Sequence, residues 1–504
     1  MHANMDWLQS RVNISPERLA VVDAVTDDSW TYKELHERAN IIANFFLTKG
    51  VEKGDRVAIL APNHIGYLDF LFACMRIGAI FIPLNWRLGE DELTYVLQDC
   101  EPKIIGVAPS FLHRVNQMVI DAVIINIDNN DYGKKLDYER HHIKVELDEA
   151  DPLVMIYTGG TTGRPKGVVL SHRSILWNAL NTIVSWDIGA DDVTLISTPM
   201  FHTGGLNVYT LPLLLAGGKV VLSPDFKPDK AIKDLIKYKC TVVLFVPTMY
   251  HMIIQTKEFG EATFPDIRVF VSGGAPCPHK IYDAFREKGL AFKEGYGLTE
   301  AGPNNFYIDP VDTVRKIGSV GKPMVFNDIK IVKDDGMCAD ANEVGELVVR
   351  GYHAFEYYWN KPKETAEVIK DGWVYTGDLV KQDEDGYVYI VGRKKDMIIT
   401  GGENVYPLEI EHWLEAHDLI DEAAVVGLPD EKWGEIVTGF VSLRGELTEE
   451  ELKDYCNQKL TRYKVPKTFY FLQELPKTHV GKIDKASLRS EYSIKECTNL
   501  YRKE

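Results

Sequence analysis

A chain of 504 residues is too long for one hydrophobic core and should divide into at least two domains. Its composition, 45% hydrophobic and 26% charged, is that of an ordinary globular protein and excludes fibrous and disordered classes. The net charge of −17 argues against binding through a nucleic-acid backbone and against electrostatic docking on anionic membranes. Cys74, Cys100, Cys240, Cys277, Cys338, Cys456 and Cys497 lie far apart with no Cys-x-x-Cys pair, which suits a reducing cytoplasmic setting without a metal cluster.

From Met1 to Val22 no continuous apolar core occurs, so no secretion signal is expected. Arg56–Leu60 reads as a strand, Tyr67–Ile77 as a helix, Ala79–Ile82 as a strand, Glu90–Leu97 as a charged amphipathic helix and Lys103–Val107 as a strand. This βαβ rhythm predicts a largely parallel sheet with helices on both faces. The apolar stretch Leu68–Leu84 is broken by Asp69, Arg76, Gly78 and Pro83, so it predicts a buried helix entering a strand and not a membrane span.

An apolar strand, Leu153–Ile156, then empties into Tyr157-Thr158-Gly159-Gly160-Thr161-Thr162-Gly163-Arg164-Pro165-Lys166-Gly167. Glycines admit backbone N–H groups close to an oxyanion, threonines add donors or a magnesium contact, and a lysine supplies a movable positive charge. The stretch reads as a phosphate cradle, although the Walker spacing is absent because Gly167 and Val168 follow the lysine. Farther on, Pro199–Gly218 holds Phe201 and His202 at the head of a nearly apolar segment without Lys or Arg. The βαβ rhythm resumes with Lys219–Leu222, Asp229–Lys239, Thr241–Phe245 and Val269–Ser272.

Gly273, Gly274, Ala275 and Pro276 follow that last strand, where open α/β sheets bind ligands. In Glu294-Gly295-Tyr296-Gly297-Leu298-Thr299-Glu300, a ring between glycines can lie against a purine, and Thr-Glu offers a phosphate donor and a hard oxygen ligand for Mg2+. After about residue 325 short alternating strands (Asp328–Val332, Gly345–Arg350, Gly386–Ile390) predict a smaller antiparallel sheet or barrel. Asp378 ends a tight turn, and one carboxylate can accept from two sugar hydroxyls. The charged turn 392–396 is the expected domain boundary.

These stretches, in this order and over nearly the whole chain, resemble the adenylate-forming superfamily, which contains acyl-CoA synthetases, luciferases and the adenylation domains of peptide synthetases. The family loop usually carries Ser or Thr where this chain has Gly159, so one hydroxyl donor is missing while Thr158, Thr161 and Thr162 remain. The resemblance implies an α/β protein. Its large N-terminal domain (1–394) would hold mixed, largely parallel sheets, helices and a β-barrel-like part from about 325 to 394. A small mobile α+β C-terminal domain (395–504) would hinge at Lys395.

It further implies an ATP site formed by Thr158, Gly159, Gly160, Thr161, Thr162, Gly163, Lys166, Gly274, Ala275, Pro276, Tyr296, Gly297, Thr299, Asp378, Arg393, Asn404 and Lys482. In the family the tyrosine covers adenine and Asp378 holds the ribose with Arg393. Glu300 and Thr161 hold Mg2+, and Lys482 bridges carboxylate and α-phosphate. Gly401 and Gly402 line the tunnel for CoA, and His202 positions the substrate carboxylate. The catalytic set is Lys482, His202, Glu300 and Thr161.

The apolar acyl segment lowers dicarboxylic and amino-acid substrates and raises apolar acids. The form of the Glu294–Glu300 motif resembles fatty acyl-CoA synthetases, which makes a fatty acid the expected substrate, with an aryl acid as the alternative. Some long-chain enzymes place a gating tryptophan where this chain has Leu206. A stand-alone enzyme loading a carrier protein and a luciferase-like oxygenase share the same motifs. The implied partners are the small-molecule acid, ATP and CoA; no nucleic acid or integral membrane segment is expected, and a homodimer is admitted.

Overall fold

A computed structural model describes residues 5–139, 143, 145–159, 164–478 and 482–500. The first large sheet runs, edge to edge, through Tyr357–Tyr358, Lys166–Ser171, Pro152–Thr158, Ile80–Pro83, Arg56–Leu60, Ile104–Val107 and Val123–Asn126. Its last five strands are parallel. Parallel strands are covered on both faces, and Ile104–Val107 is accordingly an unbroken buried run. The helix Gly66–Ile77 is buried at every position. Its one acid, Asp69, is held by Arg38 at 2.6 Å and by the Tyr132 hydroxyl at 2.8 Å. Among the described residues no helix is long and apolar enough to cross a membrane.

A second layer contains the sheet Ser29–Thr31, Leu19–Asp23, Lys219–Leu222 and Val193–Ile196, and beside it the parallel sheet Val242–Phe245, Val269–Ser272 and Phe292–Glu294. Leu19–Asp23 pairs with a strand about two hundred residues later, with Val21 opposite Val220, a partnership that local periodicity cannot reveal. A seven-stranded antiparallel sheet follows. It starts at Phe306–Tyr307, ahead of the expected start near 325, and ends at Val388–Arg393. Phe306 and Tyr307 are too short a run to carry a visible alternation, and their pairing to Lys322 and Pro323 defines them as a strand.

From Ile398 onward the chain builds its own sheet, ordered Glu403–Val405, Ile398–Thr400, Gly434–Leu443 and Ile420–Asp430, with Thr468–Phe471 added parallel to Gly434–Leu443. Ile398, Val405, Ile410, Leu414, Val425, Val437, Val441 and Phe469 form a core belonging to this C-terminal part alone. A large N-terminal and a small C-terminal unit, both of mixed α/β character, are therefore present.

Candidate active site

The strands that flank the phosphate-cradle stretch pair antiparallel, with Thr158 opposite Lys166. Gly160, Thr161, Thr162 and Gly163 lie outside the described residues, as does Gly481 beside Lys482. The Lys166 ammonium lies 5.1 Å from the Tyr358 ring, whose hydroxyl donates to Glu300 Oε1 at 2.9 Å. One aromatic side chain thus links the lysine of the loop to the acid of the 294–300 stretch. Tyr358 escaped the sequence reading because it lies 58 residues from Glu300 in an unremarkable Tyr-Tyr pair.

Glu300 is half-buried, and burial raises its carboxyl above the ordinary glutamate range against the pull of the Tyr358 hydroxyl. Tyr358 donates to Oε1, and the carboxylate retains lone pairs that could face a cation. Among the described residues no cluster of three His, Cys, Asp or Glu side chains could enclose a metal. A single carboxylate still fits Mg2+, which commonly keeps waters and takes its other ligands from substrate phosphates.

Tyr296 and Asp378 meet across 82 residues: the tyrosine hydroxyl donates to Asp378 Oδ2 at 2.6 Å. Arg393 reaches Asp378 Oδ1 at 2.9 Å, helped by strand register, which sets residue 378 opposite residue 393. Each carboxylate oxygen retains a lone pair, so the group can still accept from a sugar diol. Gly274 has φ of 85°, a left-handed conformation that glycine adopts without strain, where the chain turns off the Val269–Ser272 strand toward Ala275 and Pro276. Thr299 is buried beside Glu300.

His202 heads the short helix Thr203–Asn207, and its Nε2 is buried with no hydrogen-bond partner. Burial, with the positive charges of Lys482 and Arg87 behind it, pushes the imidazole down to about 4, so the ring is neutral at neutral pH. The Phe201 ring lies 5.0 Å from it, and Trp86 lies 6.3 Å beyond Phe201. Lys482 itself is depressed below the usual lysine range, first by desolvation and then by Arg393, with Asp378 opposing. The C-terminal unit has therefore brought Lys482 into the field of His202, Arg393 and Asp378.

The loop carrying Gly401 and Gly402 turns between Ile398–Thr400 and Glu403–Val405, and both glycines have positive φ. A Cβ on Gly401 would stand 2.8 Å from the Trp433 ring, whereas one on Gly402 would meet nothing. Asn404 is exposed in the following strand, opposite Ile399.

Comparison with known proteins agrees with this arrangement. Residues 8–359 match the family described as AMP-binding enzyme, and residues 409–482 match its C-terminal domain. A feruloyl-CoA synthase from Amycolatopsis is 38% identical over 96% of this chain and 98% of its own. The long-chain-fatty-acid–CoA ligase FadD13 of Mycobacterium tuberculosis is 35% identical over 97% of this chain and 99% of its own. ATP-bound MatB from Rhodopseudomonas palustris superposes with a TM-score of 0.90 at 32% identity, covering 97% of this chain and 99% of that one. The apo form of the same MatB gives 0.78 with the same identity and coverage. Two matched domains and relatives above 30% identity over nearly the whole chain place it in the AMP-binding enzyme family, the adenylate-forming superfamily, among its AMP-forming acid–CoA ligases.

Proposed function

We propose that the chain joins an apolar carboxylic acid to CoA in two half-reactions at one cleft. In the first, a carboxylate oxygen attacks the α-phosphorus of ATP, and pyrophosphate leaves. In the second, the CoA sulfur attacks the acyl carbon, its proton is lost, and AMP leaves. Activation is needed because a carboxylate oxygen is a poor leaving group and AMP a good one.

The observation that carries this reading is the neutral, unpartnered Nε2 of His202 at the head of the apolar segment, with the Lys482 charge acting on it. A neutral imidazole can orient a carboxylate without trapping it as an ion pair. Lys482 sets a cation between carboxylate and α-phosphate, where two anions repel and charge accumulates in the transition state. Asp378 and Arg393 hold the ribose, Tyr296 with Gly274, Ala275 and Pro276 encloses the base, and Thr158, Lys166 and Thr299 take the phosphates. Glu300 and Thr161 would hold Mg2+, which neutralises phosphate charge when bound. Gly401 and Gly402 serve the CoA arm in the second step. The units divide at 394/395 with the hinge at Lys395, and the closer likeness to ATP-bound than to apo MatB supports an adenylate-forming orientation here.

A specific arrangement of rings favours the aryl alternative over a fatty acid. Trp86 and Phe111 stand 5.9 Å apart next to Phe201, and Trp186 packs edge-on to Tyr209 at 5.5 Å. Flat surfaces of this kind suit a ring better than a flexible chain. The name of the feruloyl-CoA synthase relative points the same way. Pyrophosphate release measured across aryl and alkyl acids, with and without CoA, tests the reading: an aryl acid should give AMP and a thioester, and the absence of AMP from every acid would overturn it.

A further inference from the structure

Lys293 lies in the strand Phe292–Glu294, where alternation sends Phe292 and Glu294 to one face and the lysine to the other. Its side chain is 2% exposed, yet among the described residues it has neither a hydrogen bond nor an ion pair. Its ammonium is sandwiched between the rings of Trp186, at 4.4 Å, and Tyr307, at 4.1 Å. Cation–π contact offsets part of the cost of burying a charge, but it leaves the N–H donors of an ammonium without acceptors. Desolvation pushes the group down to about 7, Arg268 adds to the depression, and the acid that opposes it, Asp309, is exposed.

The same Trp186 ring connects this lysine to the acyl segment. It packs against Tyr209, seven residues past His202, and lies 3.4 Å from where a Cβ on Gly295 would stand. The Tyr209 hydroxyl is also buried without a partner. Burial raises it, and Tyr307, whose ring also faces the Lys293 ammonium, is among the groups that act on it. A buried hydroxyl without a partner and an ammonium faced by rings, both set against one tryptophan, leave donors that an oxygen acceptor could take.

We propose that Lys293 and Tyr209 form an oxygen-recognition site at the far end of the acyl pocket, selecting acids that carry an oxygen acceptor remote from the reacting carboxylate. A ring hydroxyl and a second carboxylate present the same chemistry to this pair. The proposal rests on the reading of Pro199–Gly218 as the acyl pocket and goes beyond it in naming what the tail must carry. It also supplies, from a strand outside that segment, the cation that the segment lacks.

The test compares kcat/KM for pyrophosphate release on phenylpropenoic acids that are unsubstituted, para-hydroxylated or para-carboxylated. The wild-type enzyme should favour at least one oxygenated acid over the unsubstituted one by about 10- to 100-fold, because a site built to bond an oxygen rejects the analogue without it. Which oxygenated acid wins separates hydroxyl from carboxylate. Lys293→Met should bring the ratio toward one, and Tyr209→Phe should lower it by a smaller factor, so the two variants serve as independent checks should one fold poorly. A wild-type preference for the unsubstituted acid, or a ratio unchanged in both variants, overturns the proposal. Turnover of the unsubstituted acid would leave the proposed function standing even then, whereas no turnover of any acid defeats the function itself.

Discussion

Lys482 stands in the field of Asp378, Arg393 and His202, and the proposed reaction assigns it to the meeting of carboxylate and triphosphate. Lys482→Ala should slow acyl-adenylate formation by several orders of magnitude and leave CoA transfer from a supplied adenylate largely intact, which single-turnover assays of the two half-reactions would read. Equal loss in both would contradict the role. Glu300→Gln keeps an oxygen for the Tyr358 hydroxyl while removing the charge, so turnover should require more magnesium; an unchanged magnesium titration would count against it. Asp378→Ala deprives both Arg393 and Tyr296 of their acceptor and should raise the KM for ATP by about tenfold or more, the scale of one charged hydrogen bond. These residues were legible in the sequence because each stands inside a short motif. Tyr358 and Lys293 were not, since the role of each comes from partners that only the fold brings near.

At the scale of elements, the turn Lys394–Asp396 is a single 3-10 turn between Val388–Arg393, which belongs to the antiparallel sheet, and Ile398–Thr400, which belongs to the C-terminal sheet. Lys394 is tied to Asp334 and Glu346 of the large unit, so dihedral change should concentrate at Lys395. Lys482 and the loop 401–404 lie on one small unit about eighty residues apart, and one rigid pose is unsuited to presenting both to the same cleft. Lys395→Pro fixes φ near −65°, a value the 3-10 turn already uses, so adenylation should survive and thioester formation should fall. Wild-type rates in both half-reactions would place the hinge elsewhere. Strands such as Arg56–Leu60, Val269–Ser272 and Asp328–Val332 appear where the apolar runs put them, because burial on both faces or clean alternation marks them locally. The order in which those strands assemble was not legible, since pairings such as Val21 with Val220 span the chain.

Across the whole molecule, His36, His64, His172, His202, His251, His353 and His412 are each held down to about 4, chiefly by burial. As pH falls through about 6.5 the unfolded chain takes up these protons and the folded chain does not, so stability present above 6.5 is lost progressively toward 4. Glu294 and Glu415, raised to about 7 and about 8, bind protons in the folded state and work in the opposite direction, but they are outnumbered. The melting temperature should therefore drop steadily from pH 7 to pH 4.5; a flat or rising profile would show that the buried imidazoles do not control it.

The pairing of Asp378 with Arg393 carries a consequence for the order of events. Arg393 is the last residue before the turn Lys394–Asp396, the proposed hinge, and its partner is the carboxylate proposed to hold the ribose. Nucleotide affinity and domain orientation therefore share one ion pair, and by linkage whatever alters one must alter the other equally. With the proposed hinge at Lys395, departure of AMP would then act as the reset of the catalytic cycle, clearing the sugar from the same acid that pairs with the residue at the base of the C-terminal unit.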